Sequence, residues 1–190
     1  MAGRSAEAVT GARDHVGSID LVVTGYDGSD EAAVAVRWAA KVAQQSASAL
    51  RVVWAWRMRD VWDEALAARH NVEIPPITEL EDFARRYLTQ TVDRLVAGTV
   101  RDIDIHLDRG PDAAHILLRA AADADMLVVG SGGRGRVATA LVGSVSARCI
   151  REATCPVLVI PHQMVSALPD RVDPYAAQAE IITRGAGAGA

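Results

Sequence analysis

The sequence predicts an α/β protein, an open and doubly wound five-stranded parallel sheet with helices on both faces. Three observations carry that prediction. Five short runs rich in Val, Leu and Ile alternate with four helical patterns between residues 19 and 160. Such alternation implies parallel strands joined by right-handed crossovers. Several of the runs are almost continuously apolar, as expected of strands covered on both faces. Half of the 190 residues are hydrophobic while only 4% are aromatic, so the core must be mainly aliphatic, which suits helices on a sheet better than an aromatic-rich barrel. The length is sufficient for one domain with a real core and short for two.

The first strand is Ile19–Tyr26, followed by a turn at Asp27-Gly28. Ser29 is placed to cap a helix by accepting a free backbone N–H, and Asp30 and Glu31 suit the positive end of its dipole. Ala33, Val34, Val36, Ala40 and Val42 continue the helical pattern to about Ser46. The second strand is Ala49–Trp56. Trp54 and Trp56 share one of its faces, where core packing is favoured over stacking on a base.

Residues 57–76 are mixed and charged, end in Pro75-Pro76, and are expected to be an insertion with a short helix around residues 61–68. A long amphipathic helix follows from Thr78 to about Ala97, with Leu80, Phe83, Ala84, Tyr87, Leu88, Thr91 and Leu95 at three- and four-residue intervals. Gly98 ends it.

Ile103, Ile105 and Leu107 alternate with Asp104, His106 and Asp108, which predicts a third strand near a sheet edge. After the Arg109-Gly110-Pro111 turn, Pro111 or Asp112 starts a helix buried through Ile116, Leu117 and Ala120. The fourth strand is Met126–Val129, and the fifth is Pro156–Ile160.

Ligands on such sheets lie beyond the C-terminal strand ends, where the winding reverses. With strand order 3-2-1-4-5 the reversal falls between strands one and four, so Asp27 and Gly130 face one crevice. The segment after strand four is the most informative in the chain. Val129 and Gly130 lead into a loop containing Gly132 and Gly133, and Gly143-Ser144 opens a helix that runs through Val145 and Ser146 to about Glu152. Small residues after a buried strand allow a ligand close to the backbone. Unpaired N–H groups at a helix start, with the dipole behind them, favour an anion. The bland alternative is a flexible loop with Ser144 as an N-cap.

The spacing Gly130, two residues, Gly133, nine residues, Gly143-Ser144 resembles the nucleotide-binding signature of the ATP-binding universal stress proteins. The Tyr-Asp-Gly-Ser-Asp end of strand one, the Arg-Gly-Pro-Asp turn, the Ala-Asp-Met-Leu-Val-Val-Gly approach and the closing Thr-Cys-Pro-Val-Leu-Val-Ile strand resemble that family too. The resemblance covers Ile19–Ile160 and implies a Rossmann-like fold. By it, Asp27 contacts the nucleoside end of ATP and the backbone around Ala55 closes over it. Val129, Gly130, Gly132 and Gly133 line the ribose and phosphates, while Gly143, Ser144, Val145 and Ser146 bind phosphates that carry Mg or Mn.

Several residues keep a second reading. Asp27 could stabilise its own turn, and Arg134 and Arg136 could reach phosphates or simply be solvated. Gly25 stands where many relatives carry a larger residue, Ala55 is small for the wall of an adenine pocket, and the 57–76 insertion lies where it could gate the site. Cys149 and Cys155 give neither a disulfide framework nor a zinc spacing; Cys149 is expected on a buried helix face, with a redox role as the minor alternative. His70, His106 and His115 suggest no cluster.

A net charge of −4 without a dense basic run argues against nucleic acid as a partner. No segment approaches the roughly 18–20 apolar residues needed to span a bilayer. Residues 1–17 are small and polar and lack a signal-peptide core. The expected organisation is a flexible extension (1–17), a nucleotide-binding domain (18–162) and a mobile tail (163–190) with Pro169, Pro174 and a Gly-Ala repeat, in a soluble cytoplasmic protein.

The leading functional reading is a nucleotide-responsive regulatory module with a protein partner yet to be named. The rivals are a slow ATP-hydrolysing or phosphate-transferring enzyme and a nucleotide-free dimeric interaction module. Neither a Walker-type Gly-Lys-Ser/Thr nor a positioned base stands out. Val157–Ile160 is a β-prone run expected at the sheet edge and is read as the homodimer contact.

Overall fold

A computed structural model of the protein describes residues 17–56, 76–132 and 142–167. The elements are β1 (Leu21–Gly25), α1 (Asp30–Ser46), β2 (Ala49–Trp56), α2 (Ile77–Val96), β3 (Ile103–Arg109), α3 (Ala113–Ala120), β4 (Met126–Gly130), α4 (Ser144–Glu152) and β5 (Val157–Ile160). The sheet is parallel, with order β3-β2-β1-β4-β5. The expected fold is therefore present, with its winding reversal between β1 and β4. The expected helix over 61–68 lies outside the described residues, as do the terminal segments 1–16 and 168–190.

Each central strand sends alternate side chains into two separate cores. On one face Val22, Leu50, Val52, Trp54, Trp56 and Val128 pack against α1 and α2. On the other, Val23, Val53, Leu127 and Val129 meet Ile116 and Leu117 of α3 and Cys149 of α4. The sheet-facing side of α1 is almost wholly Ala and Val, including Ala32, Ala33, Ala35, Val36, Ala39, Ala40 and Ala43. Small side chains let that helix lie close to β1 and β4.

The caps explain the helix limits. Ser29 Oγ accepts the Ala32 N–H at 3.2 Å, as its position predicts. The chain leaves α1 through Ala47 in the left-handed region, and leaves α2 through both Ala97 and Gly98 there, so the stop expected of Gly98 alone is shared with an alanine. Asp112 caps α3 by accepting the His115 N–H at 3.0 Å, and also binds Arg148 of α4 at 2.6 Å. The His115 hydrogen bond, then Arg148, hold its carboxyl below the usual carboxylate range.

β3 lies at one sheet edge, and its polar face forms ion pairs across to β2 and α3. Arg51 meets Asp104 at 3.0 Å and Asp123 at 2.9 Å, while Arg119 meets Asp108 at 2.7 Å. Trp54 and Trp56 are both buried in the first core. Trp54 stands edge-on to Tyr26 at 6.2 Å and tilted against Tyr87 at 5.9 Å, so both tryptophans are core residues and the base-stacking alternative is set aside.

The folded chain runs past His162, beyond the boundary expected of the domain. His162–Ala167 forms a 3-10 turn after β5, with Met164 and Val165 packed on the first core. Residues 163–167 therefore belong to the folded unit, because two apolar side chains find a place beside α1.

Candidate functional site

The reversal sets the C-terminal ends of β1 and β4 side by side, with Thr24 opposite Val128. The two loops leaving these strands carry most of the residues picked out from the sequence. Beyond β1, Asp27 Oδ1 accepts both the Ser29 N–H at 2.9 Å and the Ser29 hydroxyl at 2.6 Å. Asp27 thus organises its own turn, and through Ser29 it braces the cap of α1. Gly28, at φ 83°, supplies the left-handed residue the turn requires.

Gly130 closes β4 and is held from both sides. A Cβ built there would stand 2.9 Å from Glu31 Cβ and 3.1 Å from that residue's backbone carbonyl carbon and oxygen. Its glycine is therefore required by the first turn of α1, a reason for the residue that the sequence reading did not include. From the opposite side Ser146 donates its hydroxyl to the Gly130 carbonyl at 2.5 Å. Ser146 is buried and its hydroxyl is spent on this tie, so only its backbone N–H remains for an anion.

The next residue links three elements. Ser131 donates its N–H to Ile160 O of β5 at 2.7 Å, and its carbonyl accepts the Gly143 N–H at 2.7 Å. Gly143 is the N-cap of α4, at φ −70° and ψ 162°, a conformation open to any residue. A Cβ there would lie 3.5 Å from Ser131 O and 3.6 Å from Gly132 Cα, which is ordinary contact. Ser144 is therefore not the cap, as the sequence suggested, but the first helical residue, and it is exposed. The cap moves back one position because the extended Gly143 is anchored to Ser131.

The first rung of α4 is Ala147 N–H to Gly143 O at 2.8 Å. The N–H groups of Ser144, Val145 and Ser146 precede it and lie at the positive end of the helix. Val145 is half-buried on the second core. Val129 is 4% exposed in that core, so only its backbone can line a site. Ala55 is half-buried beside Asp108 at the end of β2, one strand from the reversal. At Gly25 a Cβ would stand 3.0 Å from Leu117, so the missing side chain makes room for α3. Gly133, Arg134 and Arg136 lie outside the described residues.

Two residues that sequence reading did not place here are Glu31 and His162. Glu31 Oε1 lies 2.7 Å from His162 Nδ1, with the carboxylate side chain 11% exposed and the imidazole 51%. Glu31 was legible only as an acid suited to the helix dipole. Its sharing of a helical face with buried Val34 and Ala35 was the available signal; its histidine lies 131 residues away. Cys149 is buried in the second core, and burial pushes its thiol up to about 11, which keeps it protonated and unreactive at neutral pH. Among the described residues no group of three or more His, Cys, Asp or Glu could hold a metal ion, and no helix is long and apolar enough to cross a membrane.

A profile described as the universal stress protein family matches residues 19–161. The chain belongs to the universal stress protein family. Two relatives from Mycobacterium tuberculosis are universal stress proteins Rv2623, 31% identical over 166 residues that cover 85% of this chain and 52% of the relative, and Rv1996, 31% identical over 163 residues that cover 78% and 50%. The chain thus spans about half the length of these universal stress proteins. Among solved structures, a universal stress protein in complex with cAMP is 28% identical with a TM-score of 0.53, covering 76% of this chain and 98% of its own. UspA from Lactobacillus plantarum, at 20% identity and a TM-score of 0.59, covers 76% of this chain and 99% of its own and shows the same fold.

Proposed function

We propose that this universal stress protein is a cytoplasmic regulatory module in stress adaptation that binds ATP in the crevice between β1 and β4 and changes its contacts with a protein partner according to occupancy. The observation that supports this most is the start of α4. Three N–H groups precede its first rung, and Gly143 anchors that start to the turn beyond β4 through Ser131. That arrangement suits the phosphates of a nucleotide. Mg or Mn would be held by the phosphates, because the described residues offer no cage of protein ligands. The base would lie toward Asp27 and Ala55.

A second reading keeps the site and changes the nucleotide. The solved relative at 28% identity is in complex with cAMP, which shares the adenosine but carries one phosphate. Titration with both ligands decides between them. Gly143→Val adds branched methyls facing the Ser131–Gly132 turn, in a backbone conformation valine accepts. It is expected to weaken ATP binding at least about tenfold, roughly 1.4 kcal/mol, with circular dichroism unchanged. Unchanged affinity in the folded variant would sink the site assignment. Nucleotide released from the denatured purified protein, identified by mass spectrometry, names the natural ligand.

The proposal extends to assembly. β5 lies at the sheet edge beyond β4, with Val157, Leu158 and Val159 only partly buried. An apolar edge invites pairing, and two copies joined across a two-fold axis would satisfy it. Light scattering at micromolar concentration is expected to report a dimer. A monomer that becomes dimeric or insoluble on truncation near His162 would instead make residues beyond it the cover.

A further inference from the structure

The ties around Gly130 and Ser131 give Glu31 and His162 a role outside direct ligand contact. Ser131 and Gly132, which leave β4, and Val142 and Gly143, which enter α4, lie outside regular secondary structure, yet the start of α4 is held in a fixed orientation. The backbone leaving β4 is held at three points. Ser146 grips the Gly130 carbonyl, Ile160 holds the Ser131 N–H, and the Gly143 N–H binds the Ser131 carbonyl. The Ile160 tie is only as rigid as β5, whose end must stay alongside Gly130 and Ser131, and Gly130 is also backed by the first turn of α1, which must stay seated against it.

Glu31 and His162 join those two elements directly. Glu31 Cβ rests where a Gly130 side chain would be. Its carboxylate reaches His162, which follows Ile160 by two residues, at 2.7 Å. The pair closes a ring: Gly130 to α1 by contact, α1 to His162 by hydrogen bond, His162 to Ile160 through the chain, and Ile160 to Ser131 by hydrogen bond. A largely buried carboxylate strengthens such a bond, since charge-assisted hydrogen bonds are about twice as strong as neutral ones.

We propose that Glu31 and His162 are positioning residues, a latch that fixes the Gly130–Gly132 turn and through it the anion-facing start of α4. The pair does not touch the nucleotide; it sets the geometry that the nucleotide meets. This inference rests on the nucleotide-binding reading for its functional consequence, but not for its structural one.

The test therefore has two readouts. In nucleotide-free protein, amide hydrogen exchange at Ser131 and Gly143 is expected to be at least tenfold faster in Glu31→Ala and His162→Ala, with amides of β2 unchanged. Glu31→Ala keeps the Cβ that packs on Gly130, and His162 is half-exposed, so both variants should fold. In ATP titrations both should bind at least fivefold more weakly, and the double variant should lose less than the two single losses summed, since the Glu31–His162 bond is broken in each case. Glu31→Gln retains an oxygen to accept the Nδ1–H and should restore slow exchange. Wild-type exchange at Ser131 and Gly143 in both alanine variants overturns the latch. Fast exchange everywhere, including β2, overturns it too, because the pair would then be supporting global stability. A wild-type protein that binds no adenine nucleotide removes the proposed function while the exchange readout still decides the latch.

Discussion

Trp54→Ala is expected to lower the unfolding free energy by about 3–5 kcal/mol, the range for removing a large aromatic from a well-packed core. Trp54 is 3% exposed and packs between Tyr26 and Tyr87, which join it to the loop after β1 and to α2. Those neighbours belong to elements that cannot collapse independently, so much of the void should persist. Typical domains have only about 5–15 kcal/mol of total stability, so the variant should unfold at markedly lower urea. The control is Trp38→Ala, whose ring is only partly buried and lies beneath Lys41 at 5.0 Å; its loss should be clearly smaller. Equal stability of the Trp54 variant and the wild type, with nucleotide binding lost, would show the ring to be part of the ligand site.

Gly130→Ala is expected to cost about 1–3 kcal/mol, the usual penalty for forcing an added methyl into a packed region. What the new Cβ meets decides the sign. Glu31 contributes Cβ, carbonyl carbon and carbonyl oxygen within 3.1 Å, and two of these belong to helix backbone that cannot swing aside. α1 must therefore lift from β4, which strains the ties at Gly130 and Ser131 together. Gly143→Ala is the comparison. Its Cβ meets atoms at 3.5 Å and beyond in an extended conformation, so its stability should change by under about 1 kcal/mol. Chemical denaturation of the two variants separates them. Equal losses would mean that the two glycines serve the same purpose, against the geometry seen here.

This contrast shows what a glycine-rich signature can and cannot reveal. The spacing of Gly130 and Gly143 singled out the turn after β4 and the start of α4, yet it assigned both residues to one cause. In the fold their reasons differ: Gly130 makes room for a neighbouring helix, whereas Gly143 has an ordinary conformation and borders the turn. Both explanations produce the same letter in the sequence.

The sequence by itself determined the layered architecture, because apolar periodicity and strand–helix alternation are local properties that leave few ways to bury the apolar faces. It also determined the Ser29 cap, whose partner lies three residues on, and the edge position of β3, legible in the alternation of Ile103, Ile105 and Leu107 with polar residues, while for the α3 start it left Pro111 and Asp112 open. Only the tertiary structure decided the contacts between distant segments. The Glu31–His162 pair spans 131 residues, the Ser146 tie to Gly130 crosses a loop, and Ser131 depends on β5 for its partner. No local pattern specifies them, since each arises from where two chain ends are delivered by the winding of the sheet. The placement of Ser144 followed the same rule: a helix start is set by the group that anchors the preceding residue, and here that group is the Ser131 carbonyl at the far end of the same connection.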